Sequence, residues 1–303
     1  MQQGRNCRHD SFLYSFLTPE TRKRNNNHVS YLFPTVLQIR FNPLIKKLMV
    51  LLIDIGNSTI VAATASDNGE ILNTWRFKTL KDETVSYYRT EILSGMKKYQ
   101  ISTGEILKVV VSSVVPEVND DISMAITDIF GKSPRFFTLS DAEKCMAIDV
   151  ESPSQLGKDR LADAIGAAAS YGVPVIVFDM GTATTVGIVD DHNTFLGGMI
   201  IPGVKTSLTA LSSRASQLPV ISIEKPKNMV GRNTLECMQS GILYGTAAMV
   251  DGIIDRLSAS FGKEFKVVAT GGMAKTIVPH CQHTIVLDNF LQFKGLFQAM
   301  AKN

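Results

Sequence analysis

The feature that most constrains this chain is a short pattern that it uses twice. Met49 to Ile53 is an unbroken apolar run ending in Asp54-Ile55-Gly56-Asn57-Ser58-Thr59, and a mostly apolar run, Ile60 to Ala65, follows. Asp67-Asn68-Gly69 then signals a tight turn before a third strand-like stretch, Glu70 to Phe77. Asp179 stands 125 residues after Asp54 and sits in the same plan. Val173 to Phe178 leads into Asp179-Met180-Gly181-Thr182-Ala183-Thr184. Thr185 to Val189, a turn at Asp190 to Asn193, and a stretch reaching Gly197-Gly198 complete the copy. Apolar runs this short, bounded by turn residues, suit buried strands. Two strand–Asp-x-Gly-polar–strand units at matching places read as an internal duplication in an α/β protein.

The chemistry of the turn explains its reuse. Glycine permits positive φ and lets main-chain N–H groups approach an anion closely. Ser and Thr add hydroxyl donors for phosphate oxygens. Asp repels phosphate, but it can hold the accompanying cation or that cation's waters. A single copy is equally an ordinary Asx-type hairpin turn; two copies, each ending a buried strand, favour a phosphate-binding device.

Composition narrows the class. Of 303 residues, 45% are apolar, ample for a buried core and unlike a disordered chain. Leu48 to Ile53 is an apolar run of only six, far below the roughly 18 residues a spanning helix needs, so no membrane role is expected. The net charge of +3 divides unevenly. Residues 1–48 hold eight Lys/Arg against Asp10 and Glu20, and the remainder holds 23 basic and 26 acidic groups, a net of −3. The basic excess therefore belongs to the head, and nucleic-acid binding is not expected of the fold. Cys7, Cys145, Cys237 and Cys281 lack Cys-x-x-Cys spacing, in keeping with a reducing, cytoplasmic setting.

Residues 1–48 show no sustained period of 2 or 3.6 and read as a disordered or non-native extension. They lack the apolar stretch of a signal peptide. An Arg-rich organellar presequence is an alternative that Asp10 and Glu20 weaken. Met49 is taken as the start of the fold and of the native protein. Two domains, 49–170 and 171–303, follow from the duplication.

The ordered set Asp54-Ile-Gly-Asn-Ser-Thr, Pro153-Ser-Gln-Leu-Gly157-Lys158-Asp159-Arg160 and Asp179-Met-Gly-Thr-Ala-Thr resembles the type III pantothenate kinases, a branch of the acetate and sugar kinase/Hsp70/actin superfamily. Gly197-Gly198-Met-Ile-Ile-Pro202-Gly203, Asn233-Thr234 and Gln239-Ser240-Gly241 match in the same order. The resemblance implies duplicated ribonuclease H-like (actin-like ATPase) domains around a central cleft. It implies ATP-dependent phosphorylation of pantothenate to 4'-phosphopantothenate, the first step of coenzyme A biosynthesis. It also implies a homodimer, a divalent ion such as Mg²⁺, and a monovalent cation, K⁺ or NH₄⁺.

Carried over by position, the resemblance makes Asp54, Ile55, Gly56, Asn57, Ser58, Thr59, Ile60 and Val61 the first ATP phosphate loop, with Thr182 also on ATP. Asp179 would hold the monovalent cation. Gly157, Lys158, Asp159, Arg160 and Thr234 would bind pantothenate, with Asp159 as proton acceptor. Asp159 opens the alanine-rich stretch Leu161 to Tyr171, expected to be helical, and is otherwise a residue favoured by the helix dipole. Arg160 suits a carboxylate, or else forms a surface ion pair. Val150 departs from the family, many of whose members place a substrate-contacting Tyr there. Val267 to Gly272 reads as a strand into a Gly turn that, in the superfamily, lies beside adenosine; a plain loop is the alternative. Other readings stay open: a superfamily kinase with another small substrate, and a non-catalytic accessory factor, which would have no need of Asp54, Asp159 and Asp179 together.

Overall fold

The computed structural model describes residues 48–302; the expectations for residues 1–48 fall outside them, Leu48 apart. β1 (Met49–Ile55), β2 (Thr59–Ala65) and β3 (Ile71–Lys78) form an antiparallel meander. The second hairpin turns at Gly69 with φ +86°, the left-handed geometry that Asn-Gly favours. After α1 (Val85–Lys98), β4 (Ile106–Ser113) runs parallel to β1. After α2 (Asn119–Phe130), β5 (Arg135–Phe136) runs parallel to β4. The first sheet is thus ordered β3-β2-β1-β4-β5. β1 lies at its centre, covered on both faces, which is why it reads as an unbroken apolar run.

α3 (Leu139–Glu143), β6 (Ala147–Ile148) and α4 (Lys158–Tyr171) lead to the second meander, β7 (Val175–Met180), β8 (Ala183–Val189) and β9 (Thr194–Pro202). Then come α5 (Val204–Arg214), α6 (Thr234–Phe261), β10 (Lys266–Thr270), α7 (Ala274–Ile277), β11 (Val286–Leu287) and α8 (Leu291–Ala301). The second sheet is ordered β11-β10-β7-β8-β9-β6, so without β6 its strand order repeats the first. The register repeats too. Asp54 pairs with Val61 across the hairpin and with Ser112 on the parallel neighbour; Asp179 pairs with Thr185 and with Thr270 in the same two directions. Two halves of one topology bring an aspartate to the same strand end, with a hydroxyl residue beside each.

β6 precedes residue 170, yet it pairs with β9 of the second sheet through Ala147↔Thr194 and Ile148↔Phe195. The C-terminal helix α8 also crosses over. It lies with α4 between the sheets, where Leu161, Ile165, Leu291 and Leu296 meet Val50 and Leu52 on one side and Val175 and Val177 on the other. The two helices touch through their backbones. A Cβ on Gly166 would lie 2.1 Å from the Leu291 carbonyl oxygen, and one on Gly295 would lie 1.8 Å from that of Ala162. Outside this layer, α1 and α2 cover the first sheet with Tyr88, Ile92, Ile122 and Ile126. α6 and α7 cover the second with Leu243, Val250, Ile254 and Ile277. No described helix is long and apolar enough to cross a membrane.

Candidate active site

Both Asp-x-Gly turns are braced by the chain that follows them. In the first, Gly56 N–H donates to the Thr59 carbonyl at 3.1 Å, and Thr79 Oγ1, just beyond β3, donates to the Gly56 carbonyl at 2.6 Å. Asn57 and Ser58 are left exposed at the tip, whereas Ile55 and Ile60 are buried in the flanking strands and Val61 partly so. In the second, Gly181 N–H donates to the Ala183 carbonyl at 3.0 Å. Gly203 N–H (3.1 Å) and Thr206 Oγ1 (2.7 Å) both donate to the Thr182 carbonyl. Gly203 has no room for a side chain, because a Cβ would come within 2.3 Å of that oxygen. The start of α5 is therefore fixed directly against the second turn. Gly271, at φ +88°, is pressed against Asp179 and Met180, and Met273 N–H donates to the Met180 carbonyl at 3.1 Å. The strand-to-Gly turn after β10 thus packs on the same structure.

α4 supplies the third part. Gly157 precedes its first residue, Lys158, so Asp159 and Arg160 lie in the first turn. Asp159 Oδ1 accepts from the Arg160 backbone N–H at 2.8 Å. Arg160 Nη2 donates to the Val186 carbonyl on β8 at 3.1 Å, and its guanidinium lies 5.8 Å from the Phe195 ring centroid. This arginine is held inward by the second sheet, not paired with a surface carboxylate.

Electrostatics joins the parts. The Asp54 carboxyl is pushed up to about 7, first by burial and next by Asp159, with Asp179 adding to the effect. Gln292 Nε2 on α8 opposes this by donating to Asp54 Oδ1 at 2.7 Å. Asp179 is raised to about 6 by burial and then by Asp159. Asp163, one turn after Asp159 on α4, is only 3% exposed. Burial raises its carboxyl well above the carboxylate range, reinforced by Asp179, Asp159, Asp54 and Asp288 in that order. Like charges crowd here without a neutralising ion pair: among the described residues, none of the salt bridges involves Asp54, Asp159, Asp163 or Asp179.

Unmet hydrogen bonds gather at the same place. Among the described residues, Asp163 Oδ1, Arg160 Nε and Thr184 Oγ1 are all buried without a partner. A buried polar atom left unpaired costs about 1–3 kcal/mol, so such a concentration marks a place kept for function.

Two cavities open beside the turns. One, of about 670 Å³, is lined by Thr59 from the first turn and by Gly181, Thr182, Lys205, Thr206 and Gly272. The other, of about 710 Å³, shares Lys205, Thr209, Ser213, Gly272 and Met273 with it and continues over Ile221, Ser222, Ile223 and Lys275. Thr59 and Thr182 therefore face one space. Thr234 is the first residue of α6, whose N-cap Asn233 Oδ1 accepts from Glu236 N–H at 2.9 Å. It lines a third cavity of about 670 Å³ with Leu208, Leu211, Arg232 and Met238. Val150 packs against the inter-sheet core, 3.5 Å from where a Gly197 Cβ would stand.

The donor set suits hard cations: it offers carboxylate, hydroxyl and carbonyl oxygens. Among the described residues, no three His, Cys, Asp or Glu side chains converge to hold a metal. A divalent ion here would rest on one or two carboxylates, water and phosphate oxygens, as Mg²⁺ commonly does.

Sequence reading passed over three of these residues. Asp163 carried a signal, since residues i and i+4 share a helix face. Lys205 follows the Gly-Gly…Pro-Gly stretch without any marked pattern. Gln292 lies 238 residues from Asp54, and no local pattern foretells that contact.

Duplicated sheets of this order around a cleft, with an Asp-x-Gly turn from each half, define the actin-like ATPase and sugar-kinase class of fold. Solved structures agree. A Baf family protein from Campylobacter jejuni superposes with a TM-score of 0.53 at 18% identity, over 84% of this chain and 98% of its own. The 2-hydroxyisocaproyl-CoA dehydratase activator from Clostridium difficile, with bound ADPNP, gives 0.50 at 13%, over 83% and 92%. Sequence similarity is more specific. The type III pantothenate kinase family model matches residues 50–256. The chain is 37% identical over 255 residues to the type III pantothenate kinase of Halalkalibacterium halodurans, covering 84% of this chain and all of the relative. It is 36% identical over 251 residues to that of Desulforapulum autotrophicum, covering 82% and 95%. The chain belongs to the type III pantothenate kinase family.

Proposed function

We propose that this chain transfers the γ-phosphoryl group of ATP to the primary hydroxyl of pantothenate, with Asp159 accepting the hydroxyl proton. The observation that carries the residue assignment is the meeting of Asp159, at the start of α4, with the aspartates of both phosphate turns, Asp54 and Asp179. Such a transfer passes through a loose transition state in which deprotonation comes late, so a well-positioned carboxylate suffices. The Arg160 backbone N–H occupies Asp159 Oδ1 and leaves Oδ2 to orient the hydroxyl.

Thr59 on one side, and Gly181 and Thr182 on the other, bracket the phosphates across one cavity, with Asn57 and Ser58 exposed at the tip of the first turn. Adenosine lies beyond, against Gly272. Arg160, with its Nε still unpaired, and Thr234 receive the polar groups of pantothenate, the arginine fork matching its carboxylate. A divalent ion would supply charge neutralisation on the phosphates, and Asp54 would help to hold it. Asp179 would hold K⁺ or NH₄⁺, which would offset the carboxylate charge there. The protein acts in the cytoplasm as a homodimer, in keeping with exposed apolar side chains such as Ile200, Val230 and Met229.

The test is ADP release with ATP, Mg²⁺ and pantothenate, in K⁺ or in Na⁺. Release that requires both pantothenate and K⁺ supports the substrate and the cation. Release without pantothenate dependence refutes the substrate, and no release from folded protein favours an accessory role.

A further inference from the structure

Among the described residues, Lys205 is the one charged side chain lining the cavity shared by the two phosphate turns, and it also lines the neighbouring cavity that continues past Gly272. It therefore stands on the wall common to both. Its backbone is fixed there: Gly203 N–H and Thr206 Oγ1, on either side of it in sequence, both bond the Thr182 carbonyl, and Gly203 packs without space for a Cβ. The side chain itself is exposed and, among the described residues, makes no ion pair. A polyanion entering this cleft meets Asp54, Asp159 and Asp179, all of one sign. A flexible ammonium on the cavity wall offsets that repulsion, and it can follow the phosphate chain because Lys is a mobile point charge.

We infer that Lys205 is a nucleotide-positioning residue that pairs with the phosphate chain of ATP at its α- and β-phosphates. This rests on the reading of the cleft as the ATP site. The base occupies the cavity over Ile221 and Ile223, the γ-phosphate lies between Thr59 and Thr182, and Lys205 lies between them. Because it touches phosphates that are not transferred, it acts on nucleotide binding and not on the chemical step.

The experiment measures equilibrium binding of ATP, ADP and AMP by calorimetry, together with steady-state kinetics, for the full chain and its Lys205→Met and Lys205→Arg variants. Loss of one charged hydrogen-bonded contact predicts about tenfold weaker ATP and ADP binding in Lys205→Met, with AMP changed less. KM for ATP should rise, kcat and KM for pantothenate should hold, and Lys205→Arg should restore affinity. Unchanged ATP binding in folded Lys205→Met overturns the inference. An equal loss for ATP, ADP and AMP also overturns it, since the side chain would then serve the nucleoside or the fold. A wild-type chain that binds ATP but does not phosphorylate pantothenate refutes the proposed reaction, and leaves the Lys205 comparison to be decided by binding alone.

Discussion

Asp163 offers the sharpest test of the electrostatics. It is 3% exposed, its Oδ1 has no partner among the described residues, and its neighbours in the field are four other carboxylates. Burial and those charges raise its folded pKa, so the side chain stays protonated where an unfolded aspartate, with a pKa of about 3.9, is ionised. The sign follows. Below about pH 3.9 both states carry the proton and Asp163 is neutral to stability. As pH rises above that, the unfolded chain releases the proton and the folded one keeps it, so folding weakens by about 1.4 kcal/mol per unit until the folded group also titrates. At pH 7 the largest penalty this allows is about 4 kcal/mol, and relaxation of the surroundings reduces it; we expect about 2. Asn has the same shape and no charge to lose, so Asp163→Asn should raise stability by about 2 kcal/mol near pH 8, by less at pH 5 and by almost nothing at pH 4. For a folded unit of this size that corresponds to about 4–8 °C in melting temperature. Thermal melts of variant and wild type across pH 5–8, without nucleotide or divalent ion, measure the gap. A gap that does not widen with pH, or a variant less stable at pH 8, refutes the reasoning.

Asp159→Asn should fold normally and lose at least about 100-fold in kcat, within the usual range for a lost general base, with ATP binding retained; calorimetry and turnover separate the two. Asp54, raised to about 7, holds its proton through mildly acidic pH, whereas a cation binds only the ionised form. Activity should therefore fall below about pH 7, and added Mg²⁺ should move that acid limb to lower pH; a pH–rate profile at two Mg²⁺ concentrations checks this. Gly295→Ala places a Cβ 1.8 Å from the Ala162 carbonyl at the α4–α8 crossing. It should cost about 3 kcal/mol of stability, read by denaturant unfolding.

The Asp54 and Asp179 turns, the strands that carry them and the helix opening at Asp159 were legible in the sequence, because each depends on local physics. A buried strand must be apolar, a tight phosphate turn needs glycine and hydroxyls, and an alanine-rich run after a capping region makes a helix. The duplication was legible for the same reason, since one local pattern occurs twice. The environment that gives these groups their chemistry was not. Only the tertiary structure sets Gln292 of α8 against Asp54, lodges α8 and α4 backbone to backbone between the sheets, and joins β6 to β9 of the second sheet. Only there does Asp163 meet the carboxylates of both sheets and Lys205 face the cavity between the two turns. Proton affinity and charge compensation are set by whichever groups lie within a few ångströms, and sequence patterns of period 2 or 3.6 hold no record of residues brought together from distant positions in the chain.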